Sequence, residues 1–237
     1  MGVSSKSFAL DSSVSLPLPA TVTVRLAENS LNHRVFVWFQ LITAYVFVEK
    51  ALWAGNMAVR NRWAVLAAIS IMLFVIVDHP SIHRLGFGLP RGLGLSLMLA
   101  TSFATALALI FTVRWAGGQI PANPTWPSLH TAWQYLVWAL MQEFLLQSFF
   151  FTRCEDLFGS ESAVWIAATL FAAAHLPSPL LTTFTLIGGL VFCEMFRRFR
   201  SLYPIGVVHA VLGLTIALTM PDSVLHHMRV GIGYLRY

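Results

Sequence analysis

One carboxyl and two imidazoles stand inside long uncharged stretches of this sequence. Glu143 lies near the middle of the apolar run Leu129–Phe151, beside Gln142 and one turn before Gln147. His175 ends the run Ala163–Leu176, and His209 lies a few residues into Pro204–Thr219. An ionisable group held at mid-membrane costs about 2.5–3.5 kcal/mol on insertion scales, so each asks for a partner. Brought together, a carboxyl and two imidazoles could activate a water and stabilise an oxyanion. The same three could ligate zinc, because one Glu and two His make a catalytic zinc set. The local HExxH signature of zinc peptidases is missing, however.

Each residue also has a purely structural reading. Gln142 and Gln147 could be interhelical hydrogen-bond clamps, and on a helix Gln147 shares a face with Glu143. His175 shares a face with Phe171, and Ala172, Ala173 and Ala174 between them allow close helix approach. His209 stands among Gly206, Ala210 and Gly213, a small-residue surface suited to packing. Glu143 is the hardest to explain as packing, because a buried carboxyl costs more than a clamp needs. Glu194 precedes Arg197 and Arg198 by three and four residues, the favourable order for a helical ion pair.

The elements that must position these groups are membrane helices. The chain has 237 residues, 57% hydrophobic and 11% charged, with a mean hydropathy of +0.71. A soluble domain is nearer about 25% charged. A soluble enzyme, a disordered chain and a disulfide scaffold are thereby excluded. Seven apolar runs (six to eight by length) are expected as transmembrane helices: 35–54, 63–77, 92–113, 129–151, 163–176, 180–196 and 204–219. The fold class is all-α, a polytopic transmembrane bundle. Residues 1–30 read as a flexible polar tail, 31–84 as N-terminal membrane helices, 85–220 as the domain carrying the site, and 221–237 as a C-terminal tail. Trp53, Trp63, Trp115 and Trp126 near span ends suit an interfacial belt.

The formal net charge is +5. No basic block is long enough for a nucleic-acid arm, so no nucleic-acid partner is expected, and the charge is read as orienting the spans. Lys6, Arg25, Arg34, Arg84, Arg91, Arg153, Arg197, Arg198 and Arg200 fall on one side. Arg60, Arg62, Arg114, Arg229 and Arg236 fall on the other. That asymmetry places the N-terminus in the cytoplasm. The two cysteines, Cys154 and Cys193, make no disulfide framework.

The segment running from Gln142-Glu-Phe-Leu-Leu-Gln-Ser to Phe158-Gly159 resembles the first motif of the CAAX-protease and bacteriocin-processing family, the Rce1-like or Abi membrane proteases. Members typically read EExxxR there. Phe171-xxx-His175 is similar to the family's FxxxH, and His209-xxx-Gly213 stands where HxxxN or HxxxD is expected. The resemblance spans roughly residues 85–215. It implies an Rce1-like core and an intramembrane endopeptidase, of glutamic or metallo type. Four departures accompany it: Gln142 for the first Glu, Gln147 for the Arg, Ser148 for the Gly and Gly213 for the Asn or Asp.

The family's first Glu is the one assigned to water activation. The role is therefore expected to pass to Glu143 through a small rotation of its helix. His175 and His209 would stabilise the oxyanion, while Gln142, Gln147, Phe171 and Gly213 support or orient. No cofactor is expected, and zinc on Glu143, His175 and His209 is the alternative. The expected substrate is a membrane-associated protein or peptide tail, of CAAX type or a C-terminal sorting segment. The expected setting is a bacterial inner membrane. Two rivals stand beside this reading: an inactive relative serving as an immunity or assembly factor, and a proton-coupled transporter using Glu143.

Overall fold

The computed structural model describes residues 20–89, 93–115 and 128–236. Residues 1–19 of the expected tail, Arg91 and Trp126 lie outside the described residues. Eight helices carry most of the chain: α1 (Ala20–Leu52), α2 (Met57–Asp78), α3 (Leu93–Trp115), α4 (Leu129–Glu143), α5 (Thr152–Phe158), α6 (Ser160–Ala173), α7 (Pro179–Phe199) and α8 (Leu202–Thr219). A π-helical stretch, Phe144–Phe151, joins α4 to α5. The short helices α9 (Asp222–Leu225) and α10 (Ile232–Leu235) close the C-terminus. The described chain divides after Phe36 into two units, and the site lies wholly in the second, residues 37–236.

The protein is an all-α, integral, multi-spanning membrane protein. Among the described residues, five helices are long and apolar enough to cross a bilayer: Leu31–Leu52, Met57–Asp78, Gly94–Thr112, Pro179–Phe199 and Leu202–Thr219. The two other expected spans take different forms. Residues 129–158 run on as α4, the π-helical stretch and α5, while α6 is a 14-residue apolar helix. Helix α1 starts at Ala20, inside the segment read as tail. Large apolar side chains such as Phe103, Phe111 and Trp165 face outward, as lipid contact requires.

Residues 146–154 are buried without a break. An amphipathic helix cannot bury nine consecutive positions, so this segment must be surrounded on all sides. Three consecutive phenylalanines, Phe149, Phe150 and Phe151, pack there in one cluster with Val37, Ile71, Ala167, Phe196 and Ile205. The widened π turns begin directly after Glu143, and such turns recur at functional sites.

Two small-residue contacts decide how the site helices approach. Gly189 of α7 lies on Ala168 of α6, where an added Cβ would stand 3.2 Å from the alanine methyl. Gly206 of α8 lies against Leu140 of α4, where an added Cβ would collide with the leucine side chain. The second contact carries α8 to within bonding distance of Glu143.

A second polar cluster is buried beside the core. Arg153 is 4% exposed and Gln40 fully buried. Arg153 NH2 donates to Asp78 Oδ2 at 2.8 Å, and its Nε donates to Gln40 Oε1 at 3.1 Å. Gln40 Nε2 in turn donates to Asp78 Oδ1 at 2.9 Å. The guanidinium also stacks 4.1 Å from the centre of the Phe149 ring. In the sequence Asp78 and Arg153 stand just after the expected spans 63–77 and 129–151. They are an ion pair that ties the ends of α2 and α5 to the middle of α1. The expected helical pair does form: Arg197 and Arg198 both donate to Glu194, at 2.7 Å and 2.5 Å.

Candidate active site

Glu143 ends α4 and is fully buried. Both of its oxygens are occupied. Oε1 lies 2.7 Å from His209 Nδ1, and Oε2 accepts from Gln147 Nε2 at 3.1 Å. The i to i+4 spacing expected of Glu143 and Gln147 is thus used, across the junction where the π turns begin. Gln147 Oε1 is buried without a hydrogen-bond partner. Holding Glu143 with the amide nitrogen leaves that oxygen in an apolar wall, where an unpaired polar atom is costly.

His209 is the less buried member of the pair, its side chain 14% exposed against 0% for Glu143. Two aromatic rings hold the imidazole. Phe192 stacks on it with centroids 5.7 Å apart, and Phe171 meets it edge-on at 6.3 Å. Phe171 also meets His175 edge-on at 4.7 Å, so it stands between the two imidazoles. His175 follows the last turn of α6 and bonds through Nδ1 to the Phe171 carbonyl at 2.7 Å. Both imidazoles therefore have Nδ1 fixed by an oxygen.

The structure brings together Glu143, Gln147 and His209 by hydrogen bonds, and His175 and Phe171 by ring contacts. Gln142 is half-buried, and among the described residues it makes no hydrogen bond to any of these side chains. Among the described residues no group of three His, Cys, Asp or Glu side chains is placed to hold a metal ion. Glu143 Oε1 and His209 Nδ1 bond each other, and Gln147 takes Oε2, which leaves the Nε2 atoms of His209 and His175 outside these bonds.

Gly213 is filled from the opposite helix. An added Cβ would collide with the hydroxyl and ring of Tyr135 on α4. The position where the resembled motif carries Asn or Asp thus has a phenol in its place. Sequence reasoning missed Tyr135 because it lies eight residues before Glu143 in a run of ordinary lipid-facing character. The alignment of Tyr135 with Gly213 is visible only once α4 and α8 are packed. Phe192 was missed for the same reason.

The comparison with known families bears on this same stretch. Residues 124–215 match the Rce1-like family model, described as type II CAAX prenyl endopeptidase Rce1-like. The matched segment contains Glu143, Gln147, Phe171, His175, His209 and Gly213. This part of the chain is therefore similar to that family of membrane proteases. No curated protein and no solved structure matches the chain.

Proposed function

We propose that this chain is an intramembrane endopeptidase that hydrolyses a peptide bond in a membrane-associated protein or peptide. The observation that carries the reading is the buried Glu143–His209 pair inside the Rce1-like segment. In this mechanism His209 keeps a proton on Nδ1 and donates it to Glu143 in a hydrogen bond. Nε2 then has a free lone pair, on a side chain that is 14% exposed. That nitrogen takes a proton from water as the water oxygen attacks the scissile carbonyl carbon. Glu143 holds the ring's tautomer and stabilises the imidazolium that forms, a role familiar for carboxylates behind catalytic histidines. Gln147 fixes Glu143.

The tetrahedral oxyanion is met by the Gln142 amide, while His175, whose Nδ1–H donates to the Phe171 carbonyl, accepts the water's second hydrogen at Nε2. Collapse breaks the C–N bond, and His209 Nε2–H passes its proton to the leaving amine. This reading moves the base from Glu143 to His209, because a fully buried carboxylate with both oxygens bonded has no open face for water.

The membrane setting supports the substrate class, since the pair lies between membrane helices and would meet substrate at depth. The N-terminus is proposed to lie in the cytoplasm of a bacterial inner membrane, from the nine-to-five basic asymmetry.

The test is cleavage of membrane-anchored peptides by the purified protein in detergent, with and without chelator. Cleavage that resists chelator and is lost in His209→Asn is the expected result. Full activity in His209→Asn, or none in the wild type, would overturn the proposal. A second reading is favoured by Gln147 and by the Tyr135 ring at Gly213: a non-catalytic membrane assembly or immunity factor that keeps the fold. It predicts that a Glu143/His175 double variant complements a deletion as well as the wild type does.

A further inference from the structure

A cavity of about 1110 Å³ lies behind the proposed active site, between α1, α2, α4, the start of α8 and the C-terminal segment. Glu143, His175 and His209 are not among its lining residues. Its α2 wall is a stripe with helical spacing, from Arg60 through Ala64, Ala67, Ala68 and Ile71 to Met72. The three alanines leave the room. The twelve steps along α2 from Arg60 to Met72, at about 1.5 Å each, make that wall about 18 Å long. The facing wall is α4, with Val137, Trp138, Met141, Phe144 and Leu145.

The two ends differ. One is closed by Phe87 and Tyr203, with ring centroids 6.2 Å apart. The other carries Arg60, Arg229 and Arg236. Arg236 NH1 donates to the Gly55 carbonyl at 2.5 Å, which holds the C-terminal segment at the α1–α2 turn. None of the lining residues is acidic. Arg60 Nε is buried and has no hydrogen-bond partner. The unanswered buried donor of Arg60, in a lining that has two further arginines and no carboxylate, calls for an anion. The apolar length behind them calls for a chain. A cavity at or above the usual range of about 300–1,000 Å³ is far larger than a lone anion needs.

We propose that this cavity binds an anionic phospholipid, its phosphate on Arg60, Arg229 and Arg236 and an acyl chain along the α2–α4 groove toward Phe87 and Tyr203. Guanidinium suits the role because its planar fork bonds two phosphate oxygens at once. The site is separate from the proposed hydrolysis, so either can fail without the other.

Native mass spectrometry of the full-length protein tests it, with palmitoyl-oleoyl phosphatidylglycerol, the matching phosphatidylcholine and inorganic phosphate added separately. Phosphatidylglycerol should be retained at least about tenfold better than phosphatidylcholine, with inorganic phosphate failing to displace it at equal concentration. The R60Q/R229Q/R236Q variant should lose the preference. Ala68→Phe, which keeps the arginines and fills the groove, should lose retention while keeping its unfolding midpoint. If the triple variant does not fold, Ala68→Phe decides. Equal retention of both lipids, displacement by inorganic phosphate, or unchanged retention in Ala68→Phe would overturn the proposal.

Discussion

At the scale of single residues, the account rests on Glu143 and His209 acting as one unit. Glu143→Gln should lower the cleavage rate by about 10³–10⁴-fold while leaving the fold in place, by analogy with loss of the carboxylate behind a catalytic histidine. Rate against peptide concentration checks this, because the fall belongs in kcat rather than KM. Gly213 supports a second prediction. Gly213→Asn should destabilise by about 1–3 kcal/mol through overpacking against Tyr135. Tyr135→Ala in the same chain should recover most of that loss. Unfolding midpoints of the three variants decide it, and an additive double variant would show that the two positions do not share the space.

The carboxyl and both histidines were legible from cost alone, since few ionisable groups sit in such apolar runs. What was not legible is the division of labour. Spacing cannot show that Glu143 is sealed while the His209 side chain stays partly exposed. Nor can it show that His175 bonds to its own helix rather than to the carboxyl.

At the scale of elements, helix contacts set the 2.7 Å bond between α4 and α8. Gly206→Val should push α8 away from Leu140, lengthen the Glu143–His209 contact and abolish cleavage. Measured activity and unfolding midpoint separate this from simple misfolding: activity should fall much further than stability. The Arg153–Asp78–Gln40 cluster makes a different prediction. Asp78→Leu alone strands a buried guanidinium and should cost about 3–5 kcal/mol. Asp78→Leu with Arg153→Met should cost less than Asp78→Leu alone, because no unpaired charge is left. Chemical denaturation in detergent compares the two.

Most helices could be placed from uncharged runs closed by charges and prolines. The π-helical stretch could not, because nothing in Phe144–Phe151 distinguishes it from an ordinary helix until its neighbours crowd it on every side. The role of Arg153 is hidden for a related reason. One charge after a phenylalanine run looks like a span end, and its partners lie 75 and 113 residues away.

At the scale of the whole molecule, low charge and high hydropathy announce a membrane bundle, and the basic asymmetry is the ground for the proposed cytoplasmic N-terminus. Cysteine-labelling checks the orientation, and the buried positions of Cys154 and Cys193 leave a quiet background. A cysteine introduced at Ser12 should react in intact cells only after the membrane is permeabilised. Labelling of intact cells would reverse the proposed topology. Under the proposed function, Gln147 holds the Glu143 carboxylate at the position where the resembled motif carries Arg, and the partly exposed His209 meets the water.

The most direct test of that chemistry follows the water. Proteoliposomes carrying the wild-type chain and a membrane-anchored peptide are incubated in ¹⁸O-labelled water, and the cleaved fragments are weighed. One labelled oxygen should appear in the new carboxyl terminus with the wild type, and labelled product should all but vanish with Glu143→Gln. Equal labelled product from both proteins would contradict the account.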